Sequence, residues 1–92
     1  MSIVARWDLG SMQPAEKYDE TLRGLKMSGD FPPDGLEYHV AFLADGGIRI
    51  SEIWDSRERF EAFGVRLREG LVDIGIEPGE PEVFEVHNII RR

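Results

Sequence analysis

The sequence predicts an α+β fold of the ferredoxin-like type, βαββαβ, with a four-stranded antiparallel sheet and two helices on one face. Three observations predict it. The hydrophobic period switches regularly between the strand value of two and the helix value of about 3.6. Asp45-Gly46-Gly47 marks a tight hairpin near the middle of the chain. Ninety-two residues make a single domain, 1–92, with no room for a second.

Ile3 to Leu9 alternates, with Ile3, Ala5, Trp7 and Leu9 on one side and Val4, Arg6 and Asp8 on the other, which is a strand. Ser11 or Gln13 followed by Pro14 reads as a helix start, because proline in the first turn loses no needed donor. Tyr18, Leu22, Leu25 and Met27 then recur at helical spacing, and the helix ends at Ser28-Gly29. The Pro- and Gly-punctuated stretch from Ser28 to Gly35 is the longest loop, and Pro78-Gly79-Glu80-Pro81 is the second. Leu36 to Ala44 alternates again. Beyond the hairpin, Ile48, Ile50 and Trp54 define a third strand. Asp55 is placed to cap the second helix, with Glu58 completing a capping box. Phe60, Phe63, Leu67 and Leu71 form one inward stripe, and Gly70 and Gly75 are its termination points. Val83 to Ile90 alternates as the last strand.

The hairpin sets the register, and the register decides which side chains share a face. A two-residue turn puts His39 opposite Glu52. A three-residue turn puts Val40 opposite Glu52, Phe42 opposite Ile50 and His39 opposite Ile53. The second register is preferred, because it gathers Tyr38, Val40, Phe42, Ile48, Ile50 and Trp54 on one side with Trp7, Phe84 and Val86. The other side then carries Val4, Ala41, Leu43, Ile53, Val83 and Ile89 among Arg6, His39, Arg49, Glu85 and His87. Two short helices cannot cover both sides, and a monomer rarely leaves so large an apolar patch in water. A second copy, packed sheet against sheet about a two-fold axis, is the expected cover.

Composition narrows the function. Eleven basic and eighteen acidic residues give a net charge of −7, and the pI is near 4.7. That balance argues against nucleic acid and against anionic membranes, which need a concentrated positive surface. The absence of cysteine excludes disulfides, thiolate metal sites and thiol nucleophiles. No secretory or membrane-spanning segment is evident, so a cytoplasmic protein is expected. The sequence has no Gly-rich phosphate loop, GxSxG elbow, zinc signature or EF-hand. Gly47-Ile48-Arg49-Ile50-Ser51 lacks the aromatics that RNA-recognition domains carry on their third strand.

Glu52 is the most informative charge. Aimed at the helix-covered side among Ile50, Trp54 and Phe63, a desolvated carboxylate suits a general base. The ordinary alternative is a strand-end Glu that reaches solvent or pairs with Arg66. His39 and His87 share a parity, and with Glu85 or Glu37 they suggest proton shuttling or a metal, although no His-x-His spacing supports a metal. Interface histidines are the plainer reading. Trp7, Trp54, Tyr18, Tyr38, Phe60 and Phe63 suit a flat ligand, or ordinary core packing. Arg49 and Arg66 suit a bidentate anion, or plain salt bridges.

The run from Asp45 to Phe63, strand then Trp54-Asp55-Ser56 then a Phe-bearing helix, resembles the signature of dimeric α+β-barrel proteins of the antibiotic-biosynthesis-monooxygenase type. Phe84-Glu85-Val86-His87-Asn88 is similar to a small bacterial branch of that superfamily. The resemblance implies a homodimer closing into an α+β barrel, with a pocket between sheet and helices. It does not imply one reaction, since this fold hosts oxygenases, isomerases, decarboxylases and inert binders. The haem-degrading members' helix Trp is matched by Phe63, their helix His falls near Asp73, and their strand-one Asn has no counterpart, so haem is not expected.

The resulting expectation is a homodimer binding a small aromatic or hydrophobic molecule, with oxygenase- or isomerase-type chemistry and no cofactor. Glu52 is the base, His39 and His87 are secondary acid–base groups, and Trp54, Tyr38, Trp7, Phe63 and Arg66 bind the substrate. A non-catalytic dimeric binding or accessory module is the alternative. An open cavity of about a few hundred Å³ with Glu52 reaching into it favours the enzyme; a solidly packed interior with Glu52 salt-bridged removes the enzyme reading in which Glu52 is the base.

Overall fold

The computed structural model describes residues 1–8, 15–73 and 79–92, with the side chains of 15 and 70–73 outside that description. The elements run β1 (Ile3–Asp8), α1 (Ala15–Met27), β2 (Leu36–Ala44), β3 (Gly47–Trp54), α2 (Arg57–Asp73) and β4 (Glu82–Glu85). All strand pairs are antiparallel in the order β2-β3-β1-β4, the ferredoxin-like arrangement. Leu25 of α1 and Phe60, Phe63 and Leu67 of α2 pack on the same cluster as Ile3, Ala5 and Trp54, so both helices cover one face.

The hairpin closes with two residues, not three. Ala44 pairs with Gly47, and Asp45 and Gly46 carry φ of +52° and +77° between them. Two successive positive φ values make a type I′ turn, whose twist matches that of the flanking strands. His39 therefore faces Glu52, Val40 faces Ser51 and Phe42 faces Arg49. The register slips once more between Leu36 and Tyr38, where Glu37 is the extra residue of a bulge. Leu36 thus joins the core while Tyr38 turns to the other face.

This corrects the face assignment. His39 and Ala41 lie on the covered side with Glu52 and Ile50, while Tyr38, Val40 and Phe42 lie on the open side. On β4, Val83 packs against the core and Phe84, paired with Val4, is exposed on the open side. The open face nevertheless keeps an apolar row among Arg6, Asp8, Arg49 and Ser51. Val40 is 52% exposed and Phe84 49%, beside Val4 and Ile53.

Several boundaries also differ. Ser56, not Asp55, caps α2, since its hydroxyl accepts from the Arg59 amide, while Asp55 instead binds the Arg59 guanidinium. Gly70 lies inside α2 and does not end it. Met27 is exposed at the end of α1, past the inward stripe. The last strand stops at Glu85, although Val86 donates one more bond to the Ser2 carbonyl. Gly35, at φ +93°, brings its backbone so close to Asp55 and Arg59 that a Cβ there would lie 2.6 Å from the Arg59 side chain. The expectations for Leu9, Ser11, Gln13, Pro14, Gly75, Pro78 and the Leu71 side chain lie outside the described residues.

Candidate functional site

Three elements bring one polar line together under α1. β3 turns Glu52 inward, where it is 4% exposed and is the one buried charged residue among those described. β2 sets His39 directly opposite, and His39 Nδ1 lies 2.5 Å from Glu52 Oε2. α1 supplies Tyr18, whose hydroxyl lies 2.6 Å from His39 Nε2. On the far side, Trp54 Nε1 donates to Glu52 Oε1 at 3.0 Å. Phe31 closes over the imidazole edge-on, at 5.3 Å between centroids.

The direction of the line follows from what each group can do. The indole only donates, and an ionised carboxylate only accepts. Glu52 therefore receives Trp54 on one oxygen and His39 Nδ1–H on the other. A neutral imidazole with its proton on Nδ1 leaves Nε2 as the acceptor, and Tyr18 donates to it. Burial pushes the Tyr18 hydroxyl above its ordinary range, and the nearby charges of Glu52 and Asp19 add to the shift. A phenol held protonated is the donor this arrangement requires.

A carboxylate this dry is tolerated because both of its oxygens are bonded. Glu52 is thus paired, with its carboxylate engaged by His39 and Trp54, and it does not approach solvent. Its role in this geometry is to fix the tautomer of His39. Tyr18 and His39, both partly exposed, form the accessible end.

A separate groove of about 760 Å³ lies between α2 and the β1–β4 edge, on a floor of Trp7, Phe60, Leu67 and Val83. Phe60 joins it to the core, with its ring 5.6 Å from Trp7 and 5.7 Å from Trp54. Neither Glu52 nor His39 lines this groove.

The other sequence-derived candidates scatter. Trp54 and Phe63 pack together at 5.6 Å in the core. Tyr38 stands on the open face with the Arg91 guanidinium 5.4 Å from its ring centre. Arg66 binds Asp30 at 3.2 Å and not Glu52. Arg49 binds Asp45 at 2.9 Å. His87 lies exposed beyond the end of β4, outside the sheet that holds His39. Glu37 pairs with Arg91. Among the described residues no three His, Asp or Glu side chains gather as a metal would need. Nor is any helix long and apolar enough to cross a membrane.

Tyr18 was missed as a site residue. The signal was present: a tyrosine on the inward stripe of a helix, one turn before Leu22, needs a partner for its hydroxyl. The two-residue turn, considered and set aside, supplies that partner.

Comparison with solved structures reveals the same fold. A protein of Deinococcus radiodurans described as a "putative antibiotic biosynthesis monooxygenase" superposes with a TM-score of 0.61 at 14% identity, over 100% of this chain and 98% of that one. A similarly described protein of Caulobacter crescentus CB15 gives 0.58 at 13% identity, covering 97% of this chain and 89% of the other. A "putative monooxygenase" of Shewanella loihica PV-4 gives 0.55 at 19% identity, covering 96% and 95%. No family model and no curated protein matches the sequence. The chain shares the βαββαβ fold of these three proteins. At these identities the likeness is one of fold.

Proposed function

We propose that the chain is a homodimeric, monooxygenase-like or isomerase-like enzyme that moves a proton on a small aromatic or hydrophobic molecule without a bound cofactor. The observation that carries this reading is the unbroken line from Tyr18 through His39 to the buried Glu52. Tyr18 takes up an acidic C–H or O–H proton of the substrate as its own proton passes to His39 Nε2. The imidazolium that forms faces the Glu52 carboxylate, which stabilises it. Trp54 keeps that carboxylate in place. The monooxygenase-like neighbours fit a substrate whose anion then meets oxygen, and an isomerase-like reaction returns the proton to another carbon. The open sheet face, with its exposed Val40, Phe42 and Phe84, supports the second copy.

A second reading, a non-catalytic binding module, is favoured by two facts: Glu52 is fully paired, and the large groove lies away from the line. Turnover separates them. With 1,4-dihydroxynaphthalene or anthrone under oxygen, or a β,γ-unsaturated ketone without it, Tyr18→Phe and His39→Gln should each lose roughly a hundredfold or more in rate. Equal rates in wild type and both variants would end the proton-transfer reading. Binding of these probes with no turnover of any would favour the module.

A further inference from the structure

The hydrogen bond at Tyr18 has a use beyond acid–base work. We infer that Tyr18 is a redox-active tyrosine, a one-electron donor whose oxidation is coupled to proton transfer onto His39. A phenol that loses an electron alone becomes a radical cation, an extremely strong acid and a costly intermediate. A base already within hydrogen-bonding distance lets proton and electron leave together. Here the base is His39 Nε2 at 2.6 Å, with the two rings inclined by only 12°. The proton that arrives makes an imidazolium, and the buried Glu52 carboxylate on Nδ1 offsets its charge. Glu52 is itself held by Trp54 Nε1–H.

Tyr18 gives one electron to the oxidant and one proton to His39 Nε2, leaving a neutral phenoxyl radical. The oxidant class is an organic peroxyl radical, the species formed when oxygen adds to a carbon-centred radical. It becomes a peroxide anion and takes a solvent proton to end as a hydroperoxide. An enediol or thiol reductant then gives one electron to the phenoxyl radical and releases its own proton to solvent, while the proton on His39 Nε2 returns to the Tyr18 oxygen and resets the line. The ligand class is thus an oxygenated organic radical, and the activity is its one-electron quenching.

The chain supplies its own control. Its only other tyrosine, Tyr38, is 43% exposed, lies under the Arg91 guanidinium and has no basic hydrogen-bond partner among the described residues. A positive charge over a ring opposes removal of an electron from it. The two phenols of one small protein should therefore oxidise at very different rates.

This use of Tyr18 shares the hydrogen bonds of the proposed function, but its test needs no substrate, so either can fail without the other. Flash photo-oxidation of the intact protein with ruthenium tris-bipyridine and persulfate, read by transient absorption and electron paramagnetic resonance, is the experiment. A fast phenoxyl signal should form in wild type and in Tyr38→Phe, and should vanish in Tyr18→Phe. His39→Gln should slow it roughly a hundredfold. Deuterated solvent should slow it in wild type, a readout that needs no variant to fold. A fast signal that survives in Tyr18→Phe, or one indifferent to both His39→Gln and deuterium, would overturn the inference.

Discussion

The covered face of the sheet buries a carboxylate, Glu52, beside Trp54, whereas the open face leaves Tyr38, Val40, Phe42 and Phe84 in water. The same two strands, β2 and β3, build both faces. Polarity alone would sort these residues the other way. What sorts them is register: one residue of slip exchanges the faces, and the two-residue turn at Asp45-Gly46 chooses the arrangement with His39 inside. A buried charge is sustained because it is fully bonded, and the exposed apolar row is what the proposed second copy would cover. On the proposed reading, one face is organised for chemistry and the other for association.

The contrast breaks most sharply at Trp54, which is fully buried. Trp54→Ala should cost about 3–5 kcal/mol in denaturant unfolding. Val40→Ala, on the open face, should change the stability of the dilute monomer by less than about 1 kcal/mol. Equal costs would mean that the open face is buried within the monomer.

Glu52→Leu comes next. It strands the Nδ1–H of His39 and the Nε1–H of Trp54, at about 1–3 kcal/mol each for an unmet buried donor. A thermal melt should show the loss, with Glu52→Gln falling between wild type and Leu. If Leu were as stable as wild type, the line would be dispensable to the fold.

The open face is sharpened by charge. Wild type should sediment near twice 10.5 kDa at micromolar concentration, and Phe42→Glu should sediment as a single chain. Retention of the dimer by Phe42→Glu would move the interface elsewhere.

The smallest effect is a pH slope. Folding raises the Tyr18 pKa, so the folded state holds that proton more tightly than the unfolded chain does. The stability this contributes is complete below the unfolded value of about 10 and is lost as pH rises through the folded value. Tyr18→Phe should lack that component of the alkaline decline, and an identical slope in both proteins would contradict it.

Much of the fold was legible. The strand and helix order, the hairpin and the inward stripe of Phe60 and Phe63 follow from period and turn chemistry alone. The register was not, because Asp45-Gly46-Gly47 contains both a two-residue and a three-residue turn, and hydrophobic bookkeeping favoured the wrong one. That bookkeeping assumes every apolar residue seeks the same core. Val40 and Phe42 break the assumption, since they lie exposed on the open face, where the proposed dimer would bury them. The error carried His39 to the wrong face and so separated it from Glu52. Glu52 itself was placed correctly on the covered side, but its partner is a histidine across the hairpin, not Arg66. The pairing of His39 with His87 failed because β4 ends before His87, which strand alternation alone does not reveal.

The direction of the polar line is the claim on which the chemistry rests, and nitrogen-15 NMR of His39 tests it most directly. The expected spectrum has the His39 proton on Nδ1, donated to Glu52, and an unprotonated Nε2 that accepts from Tyr18. An Nε2–H tautomer, or a His39 ring whose nitrogen signals are unchanged by Tyr18→Phe, would contradict it.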